Sequence, residues 1–596
     1  MRINPFQLNS DDLAGLLQPA LPAIPELVAW RNDPQQLHGT PQLAEFLADT
    51  APLMADIANI PATTYTAYRR YLHDGDRSEY EAAYFGRRRR LAALALRWFL
   101  DIDTHLPLKA LTEDYLWAIC EESNWVLPAH ERCRIDLFAA ETAFMLADTL
   151  TLLGDLISYE VRNRVRNEVE QRIFQPYLAH HALESWYLGV HNWNGVCNSS
   201  VAAAFLLLEP EPGRVAQALK IALHGLEHFL NNAFEEDGGS NEGVAYWHYG
   251  LFNLIALSEM LYSRSGGAIN LLAGERMRRI AAYPASMQLS GSAFASFSDC
   301  DETLTFHPGM IMRLIDRTGE ESLRNLLVQT TTHREHWRLT MMLRTLLWWD
   351  GSRPEQAVIN DAYLPSCGVA RIVGSASNGA QIVLALKAGH NAENHNQNDI
   401  GSFIVHVAGE NLLTDPGRGL YSRFYFGPQR YENIFANSYG HSVPRVNGQL
   451  QAVGRQYQGT LQAPLRSGNQ ASISAEIAQA YPASGLQQLQ RTLSYLDDGS
   501  IFLIDQFGYA GEAPPIEEAF VTWCPVMLAG HEATIIGERY ELMLSIAEPA
   551  GVAFALETLE QASRDNRKPA VLKRLTVLLP PGCSTFRLHM LVTPKG

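Results

Sequence analysis

The feature that most constrains the fold is a change of hydrophobic periodicity near residue 349. Before it, apolar residues recur at three- and four-residue steps, as from Leu219 to Leu230 in "ALKIALHGLEHFLNNAF", which predicts amphipathic helices. After it, period-two runs such as "GSFIVHVAGENLLTD" and "RTLSYLDDGSIFLIDQF" predict strands, and Asp498 with Gly499 predicts a hairpin turn. The chain therefore combines a helical part with an all-β part.

These patterns predict a domain organisation of three segments. Residues 1–345 form helical hairpins packed as a bundle, a solenoid or a toroid. Residues 346–370 contain many turn-forming residues and are predicted to be a linker, and residues 371–596 form an antiparallel β-domain. A chain of 596 residues is long enough to bury more than one core.

The charge balance limits the classes of partner. Lys and Arg number 47 against 64 Asp and Glu, a formal net charge of −17. This argues against a nucleic-acid-binding protein and against an anionic membrane surface, both of which call for a basic footprint. A local basic cleft for a polyanionic ligand is compatible with the same balance.

The start of the chain predicts the cellular location. "MRINPFQLNSDDLAGLL" has no apolar segment behind a basic one, and no apolar run was expected to span a membrane. The seven dispersed cysteines show no CxxC pair and fit reduced thiols. We expect a cytoplasmic protein, or a periplasmic or secreted one if the N-terminus is processed.

Three polar motifs interrupt the amphipathic patterning: "YLGVHNWNGVCNSS", "EEDGGSNEGVAYWHYG" and "ENHNQNDIGSF". Taken singly, they are explained by a capped helix start, an aromatic core stripe and a turn before a strand. The third motif also contains a titratable group, His395. Farther along the chain, "LLTDPGRGLYSRFYFGPQRYENIF" and "NSYGHSVPRVNG" add further Asp, Arg and His side chains near strand ends.

Together and in this order, the motifs resemble the heparinase II/III family of polysaccharide lyases. The resemblance implies an α/α toroid, an incomplete barrel of helical hairpins, followed by an antiparallel β-sandwich domain, with the active site in the cleft between them. It also implies β-elimination on uronic-acid-containing polysaccharides or oligosaccharides, giving unsaturated uronate products. Glycosaminoglycans such as hyaluronan, chondroitin sulfate and heparan sulfate are the expected substrates.

The resemblance also assigns catalytic roles. Tyr246 matches the family's catalytic tyrosine. His191 and Asn192 match the region that supplies a histidine and an asparagine to the acidic sugar, with Asn194 as an alternative for the asparagine. His395 matches a histidine across the cleft that acts as a base or assists one. No cofactor is needed for this chemistry.

Further residues are candidates for binding substrate. Tyr249 shares a helical face with Tyr246 and is the fallback for its role. Arg418 and Arg423 suit a carboxylate or sulfate, because guanidinium binds such groups with two parallel hydrogen bonds. Trp247 is expected either to stack on a sugar ring or to pack in the core.

A metal site is implied only by the resemblance. Some relatives hold a metal in the β-domain through a histidine, an aspartate and a second histidine, which correspond here to Gln397, Asp415 and His441. A glutamine at the first position weakens a zinc site while a harder ion stays conceivable. A structural divalent metal, Zn, Mn or Ca, is therefore an open expectation.

Alternative functions stay open from the sequence. An alginate lyase of the same family is one, and a toroid-type glycoside hydrolase is another, with Glu242, Glu393 and Asp399 as its carboxylates. A non-catalytic carbohydrate-binding protein is a third. The sequence does not indicate the polymer, its sulfation, endo or exo cleavage, or the oligomeric state.

Overall fold

A computed structural model describes residues 4–328, 338–468, 470–482 and 485–595. The chain divides into two compact units. The first comprises the residues up to Phe234, Tyr246–Ala281 and Thr305–Pro354, and the second comprises Glu235–Ala245, Ala282–Leu304 and the chain from Glu355 onward. Two short segments that precede residue 345 thus belong to the second unit.

The N-terminal region is helical, as its periodicity predicts. The leucines of the quoted stripe, Leu219, Leu223, Leu226 and Leu230, are all buried. The α-helices are α1 (Ser10–Leu16), α2 (Pro25–Asn32), α3 (Pro41–Met54), α4 (Tyr65–Asp74), α5 (Ser78–Phe99), α6 (Leu108–Cys120), α7 (Leu137–Leu153), α8 (Tyr159–Val169), α9 (Gln175–His180), α10 (Asn192–Leu208), α11 (Pro212–Asn232), α12 (Val244–Arg264), α13 (Glu275–Met287), α14 (Pro308–Thr318) and α15 (Leu339–Trp348).

Helix packing within the first unit follows the hairpin prediction. Neighbours along the chain pair, as α5 does with α6, α10 with α11, and α14 with α15. The last helix, α15, also packs against the early helices α3, α5 and α7. The helical series therefore returns on itself, as a toroid of helical hairpins requires, and the predicted helical architecture is confirmed.

One helical stretch differs from expectation. Leu137–Leu156 is long and apolar enough to cross a membrane by length and composition, and sequence reading found no such run. In the fold, 83% of its most apolar window is buried. Such burial is that of a core helix, which passes the same composition test.

The second unit is built of antiparallel strands. The turn predicted at Asp498–Gly499 joins β13 to β14. The elements are β1 (Gln288–Ser290), β2 (Ala293–Phe294), β3 (Ala362–Leu364), β4 (Val369–Ser375), β5 (Gln381–Lys387), β6 (Gly389–Asn391), β7 (Phe403–Val407), β8 (Glu410–Leu413), β9 (Arg445–Val446), β10 (Gly454–Leu461), β11 (Leu465–Ser467), β12 (Gln470–Glu476), β13 (Leu486–Leu496), β14 (Ser500–Tyr509), β15 (Ile516–Thr522), β16 (Val526–Ala529), β17 (Glu532–Ile536), β18 (Tyr540–Glu548), β19 (Ala555–Thr558), α16 (Glu560–Asp565), β20 (Lys573–Leu578) and β21 (Thr585–Pro594). Strand β3 lies inside the segment 346–370 that was predicted to be a linker.

Three sheets enclose one apolar core in the described part of this unit. The largest runs in the order β16-β17-β18-β21-β14-β13-β12-β10-β6, with β11 beside β12, and the others run β3-β4-β5-β7-β8 and β19-β20-β15-β9. Leu384, Val405, Leu493, Leu575 and Leu588 join these sheets in a single buried cluster. The predicted antiparallel β-sandwich is confirmed, and the seven cysteines are all unpaired thiols.

Candidate active site

His191 and Asn192 lie at the start of helix α10 in the first unit. His191 is the N-cap residue with an extended backbone, and Asn192 is the first helical residue and is buried. The helix runs for 17 residues, and its N-terminus carries partial positive charge from the peptide dipoles. This position suits the binding of an anionic group, as expected for a uronate carboxylate.

The side chain of Asn194 forms hydrogen bonds within the protein. Its amide nitrogen donates to the Gly189 carbonyl at 3.0 Å, and its side-chain oxygen accepts from the Asn198 amide at 2.8 Å. The side chain is fully buried. Asn194 therefore holds the loop before α10.

Tyr246 and Tyr249 lie on helix α12 but differ in environment. Tyr246 is partly exposed. The Tyr249 hydroxyl donates to the Glu141 carboxylate at 3.0 Å, and the Arg338 guanidinium lies 4.5 Å from the ring centroid. Burial, and then the Glu141 charge, raise the pKa of Tyr249 well above its ordinary value. Tyr249 is thus poorly suited to act as a base.

The stacking role expected for Trp247 is wrong for this conformation. Its side chain is 1% exposed, and its indole nitrogen donates to the Ile280 carbonyl at 2.7 Å. The ring packs edge-on against Phe306. Trp247 is a core residue because its amphipathic ring is satisfied entirely within the protein.

Sequence reasoning missed Glu141, the acceptor shared by several polar side chains of the first unit. This buried carboxylate accepts from Arg338 at 3.0 Å, Asn253 at 3.2 Å and Tyr249 at 3.0 Å. Burial raises its pKa, although Arg338 and the hydrogen bonds act in the opposite direction. Glu141 lies within the apolar helix α7, where two acidic residues in an apolar stretch, Glu141 and Asp148, were the available signal.

His395 lies in the second unit and is held by a buried aspartate. The Asp299 carboxylate, fully buried, bonds to His395 Nδ1 at 2.9 Å and accepts from Gln397 at 3.1 Å and Tyr425 at 2.6 Å. Arg430 donates to both Asp299 oxygens at 2.9 Å. We call Asp299, His395, Gln397, Tyr425 and Arg430 the Asp299 cluster.

Electrostatics keep Asp299 ionised. Burial alone raises the pKa of Asp299, but the hydrogen bond from His395 and the charge of Arg430 outweigh it, so that the pKa is lowered overall. An ionised Asp299 accepts a hydrogen bond from Nδ1–H of His395, which fixes the ring orientation and leaves Nε2 as the other ring nitrogen. The His395 side chain is 18% exposed, and Nε2 lies 3.6 Å from the Glu242 carboxylate.

The backbone around this cluster is constrained. Ser298 and His395 both have left-handed φ angles, 64° and 54°, which are uncommon for residues other than glycine and concentrate at functional sites. Gly417 has φ 62°, and a Cβ there would clash with the Cys300 carbonyl oxygen. The segment that carries Asp299 is therefore fixed against the loop that follows strand β8.

The arginines have distinct environments. Arg418 forms a two-hydrogen-bond ion pair with Asp301 and lies over the Tyr421 ring, and its side chain keeps 39% exposure. Arg423 is exposed. Arg418 is therefore paired within the protein, Arg423 lies at the surface of the second unit, and Arg430 holds Asp299.

The predicted metal ligands separate in the structure. Gln397 donates to Asp299 and so belongs to the Asp299 cluster. Asp399, rather than Gln397, groups with Asp415 and His441, with potential ligand atoms within 4.8 Å of one another. His441 Nδ1 lies 2.8 Å from the Asp415 carboxylate.

A lysine is already bound to this group. The Lys387 ammonium lies 2.9 Å from Asp399 and 3.3 Å from Glu393. We call Lys387, Glu393, Asp399, Asp415 and His441 the Lys387 cluster. Because a divalent cation at Asp399 would face this ammonium at short range, the residues as they stand do not fit a metal site.

Part of the second unit matches a known family model. Residues 359–568 match the family model described as Heparinase II/III-like, C-terminal. This match covers less than half of the chain. No curated protein sequence matches the chain.

Solved structures of similar fold extend over both units. Heparinase III aligns with a TM-score of 0.64 at 12% identity, covering 98% of this chain and 94% of that one. A heparan sulfate lyase HepC mutant from Pedobacter heparinus has a TM-score of 0.58 at 13% identity, covering 86% and 77%. A chondroitin AC lyase mutant from Streptomyces coelicolor A3 has a TM-score of 0.51 at 13% identity, covering 94% and 80%. At these identities the likeness establishes the fold.

Proposed function

We propose that this chain is a polysaccharide lyase that cleaves uronate-containing polysaccharides or oligosaccharides by β-elimination. The observation that carries the proposal is the pair of Asp299 and His395. The partly exposed imidazole of His395 lies within residues 359–568, which match the heparinase II/III-like C-terminal model, and it is oriented by the buried carboxylate of Asp299, which precedes that range. Two structures of similar fold are, by name, lyases of heparan sulfate and chondroitin. We therefore place glycosaminoglycans ahead of alginate as the substrate class.

The reaction explains the residue types. The C5 proton of a uronate is weakly acidic because removing it builds charge beside the carboxylate anion. The enzyme must therefore stabilise that charge with preorganised donors. Asn192 and His191, at the positive end of helix α10, are the proposed donors. Arg418 and Arg423 are proposed to bind carboxylates or sulfates of the polysaccharide that lie farther from the cleaved bond.

Proton transfers complete the elimination. A base takes the C5 proton, the C4–O bond breaks, a C4=C5 double bond forms, and an acid protonates the leaving oxygen. Tyr246 is the proposed acid. Where the proton and the leaving oxygen lie on one face of the sugar, Tyr246 is also the base. For the opposite epimer the base is Nε2 of His395, whose orientation is set by Asp299.

The ion pairs and burial of the candidate carboxylates argue against a glycoside hydrolase. Hydrolysis requires two acidic side chains flanking the sugar bond. Asp399 and Glu393 are both bound to Lys387, and Asp399 is fully buried. The third candidate, Glu242, lies 3.6 Å from Nε2 of His395.

A matched pair of tyrosine variants tests the proposal. Tyr246→Phe removes only the hydroxyl and is expected to lower kcat by about 10²- to 10⁴-fold, the usual contribution of an acid–base group. Tyr249→Phe is the control on the same helix, and we expect a change in stability with little change in kcat. Near-normal turnover in Tyr246→Phe, with folding confirmed by circular dichroism, would remove Tyr246 from the mechanism.

A further inference from the structure

The Lys387 cluster contains a buried lysine beside three side chains that could hold a metal ion, Asp399, Asp415 and His441. Lys387 ends strand β5, and its side chain is 3% exposed. Lysine is rarely buried without an anionic partner, because an uncompensated ammonium in a low-dielectric interior is strongly unfavourable. Two carboxylates meet that need here, Asp399 at 2.9 Å and Glu393 at 3.3 Å.

The position of Lys387 is fixed by its own backbone. The Lys387 amide donates to the Ser402 carbonyl at 2.9 Å, and the Gly401 amide donates to the Lys387 carbonyl at 2.8 Å. Asp399 lies at the start of that same turn. These backbone hydrogen bonds therefore place the Lys387 ammonium beside the Asp399 carboxylate.

The remaining members supply the donor set of a cation site. Asp415 and His441 are fully buried and face each other at 2.8 Å. Among the described residues, His441 Nε2 has no hydrogen-bond partner. Oxygen and imidazole donors within 4.8 Å suit zinc or manganese. The arrangement differs from a metal site chiefly in the ammonium bound to Asp399.

We propose that the Lys387 ammonium is the resident cation of this cluster and takes the structural place of a divalent metal ion. The β-domain then needs no metal to hold the turn that carries Asp399 and His395. Removing the ammonium while keeping the donors should convert the cluster into a metal site. This inference is independent of the proposed lyase activity, because its test measures metal content and stability.

The first arm uses the wild-type chain, purified without added metal. Elemental analysis should find well below one equivalent of Zn, Mn or Ca, and the unfolding midpoint should be unchanged by EDTA or by added Zn²⁺, Mn²⁺ or Ca²⁺. A stoichiometric bound metal, or a midpoint lowered by EDTA, would overturn the proposal.

The second arm uses Lys387→Met, which keeps the length of the side chain without its charge. Its midpoint should rise with added Zn²⁺ or Mn²⁺, and calorimetry should show at least about tenfold tighter metal binding than the wild type. Lys568→Met is the matched control, because Lys568 is another mostly buried lysine of this unit and donates to the Pro416 carbonyl. It should show no metal response.

A double variant is the alternative to use if Lys387→Met alone folds poorly. Lys387→Met with Glu393→Gln removes one positive and one negative charge, and so leaves the net charge of the cluster unchanged. It should fold and bind the same ions. Failure of folded Lys387→Met or of the folded double variant to gain metal affinity would overturn the proposal. If neither variant folds, the wild-type metal content decides.

Discussion

One loop of the second unit contributes side chains to two clusters, and the two clusters differ in exposure to solvent. His395 and Gln397 join the Asp299 cluster, whereas Glu393 and Asp399 join the Lys387 cluster. Each cluster contains a histidine bonded to an aspartate, His395 to Asp299 at 2.9 Å and His441 to Asp415 at 2.8 Å. The His395 side chain is 18% exposed and that of His441 is 0% exposed.

The difference shows that the same side-chain pair has two uses. A buried aspartate–histidine pair with no access to substrate contributes to structure, since no reactant reaches its ring. The same pair with an exposed Nε2 is an oriented acid–base group. Burial, rather than residue type, separates the histidine that we propose to be catalytic from the structural one in this domain.

The largest expected effects come from two single variants, in each of which one of the two histidines is replaced by alanine. His395→Ala should lower kcat by about 10²- to 10⁴-fold on a substrate that uses the histidine base, while leaving the unfolding free energy nearly unchanged. His441→Ala should instead destabilise the domain by about 3–5 kcal/mol, because it leaves Asp415 buried without its partner. Kinetics and urea unfolding of both variants measure the split. Similar stability losses in both would erase the distinction.

Asp299→Asn should produce an intermediate effect on both properties. It keeps the shape of the side chain but weakens the orientation of His395, and we expect kcat to fall by about 10- to 100-fold, the range known for mutation of residues that orient an active histidine. KM should change little. Asp361→Asn is the control, because Asp361 forms a two-hydrogen-bond pair with Arg466 at the surface of the same unit. That variant should keep wild-type kcat, and an equal loss there would point to a general effect of removing ion pairs.

The pH dependence of stability reports on Asp299 directly. The folded-state pKa of Asp299 is lowered, so its contribution is present above its unfolded pKa of about 3.9 and is lost as the pH falls through the folded value. The gap in unfolding free energy between wild type and Asp299→Asn should therefore be constant from about pH 8 to pH 5 and shrink only below about pH 4. Urea titrations across this range measure it. A gap that closes between pH 7 and pH 5 would mean that Asp299 is not the ionised centre.

The smallest expected effect is that of Gln397→His, which restores the histidine found in metal-binding relatives. Metal content should stay well below one equivalent, because the Lys387 ammonium still occupies Asp399 and residue 397 faces Asp299. Elemental analysis of this variant beside the wild type is the measurement. Recruitment of one zinc by the single substitution would show that residue 397 belongs to the Lys387 cluster after all.

The two-part fold was accessible from the sequence because it depends on local periodicity. The change from helix to strand near residue 349 and the turn at Asp498–Gly499 are properties of neighbouring residues. The structure of the predicted linker, residues 346–370, was harder to predict from the sequence, because strand β3 within it is only three residues long. Two short segments that join the β-rich unit also lie among helices in the sequence.

The site was accessible only in part, because its supports come from distant positions. Asp299 lies 96 residues before His395, and Glu141 lies 197 residues before Arg338. No periodicity links such pairs. The motifs propose Tyr246, His191 and His395, whose roles stay predictions. The core position of Trp247 was not decided from the sequence, because an aromatic on a helical face suits either a core or a sugar-binding surface.

The most direct test of the proposed reaction is the product formed from a panel of uronate polymers, with hyaluronan, chondroitin sulfate, heparan sulfate and alginate as substrates in water labelled with heavy oxygen. Elimination predicts products that absorb in the ultraviolet through the new double bond, carry no label from water, and fall to background with Tyr246→Phe. Labelled reducing ends without that absorbance would mean hydrolysis, and binding without any product would mean a non-catalytic carbohydrate-binding protein. Either result would contradict the proposed β-elimination.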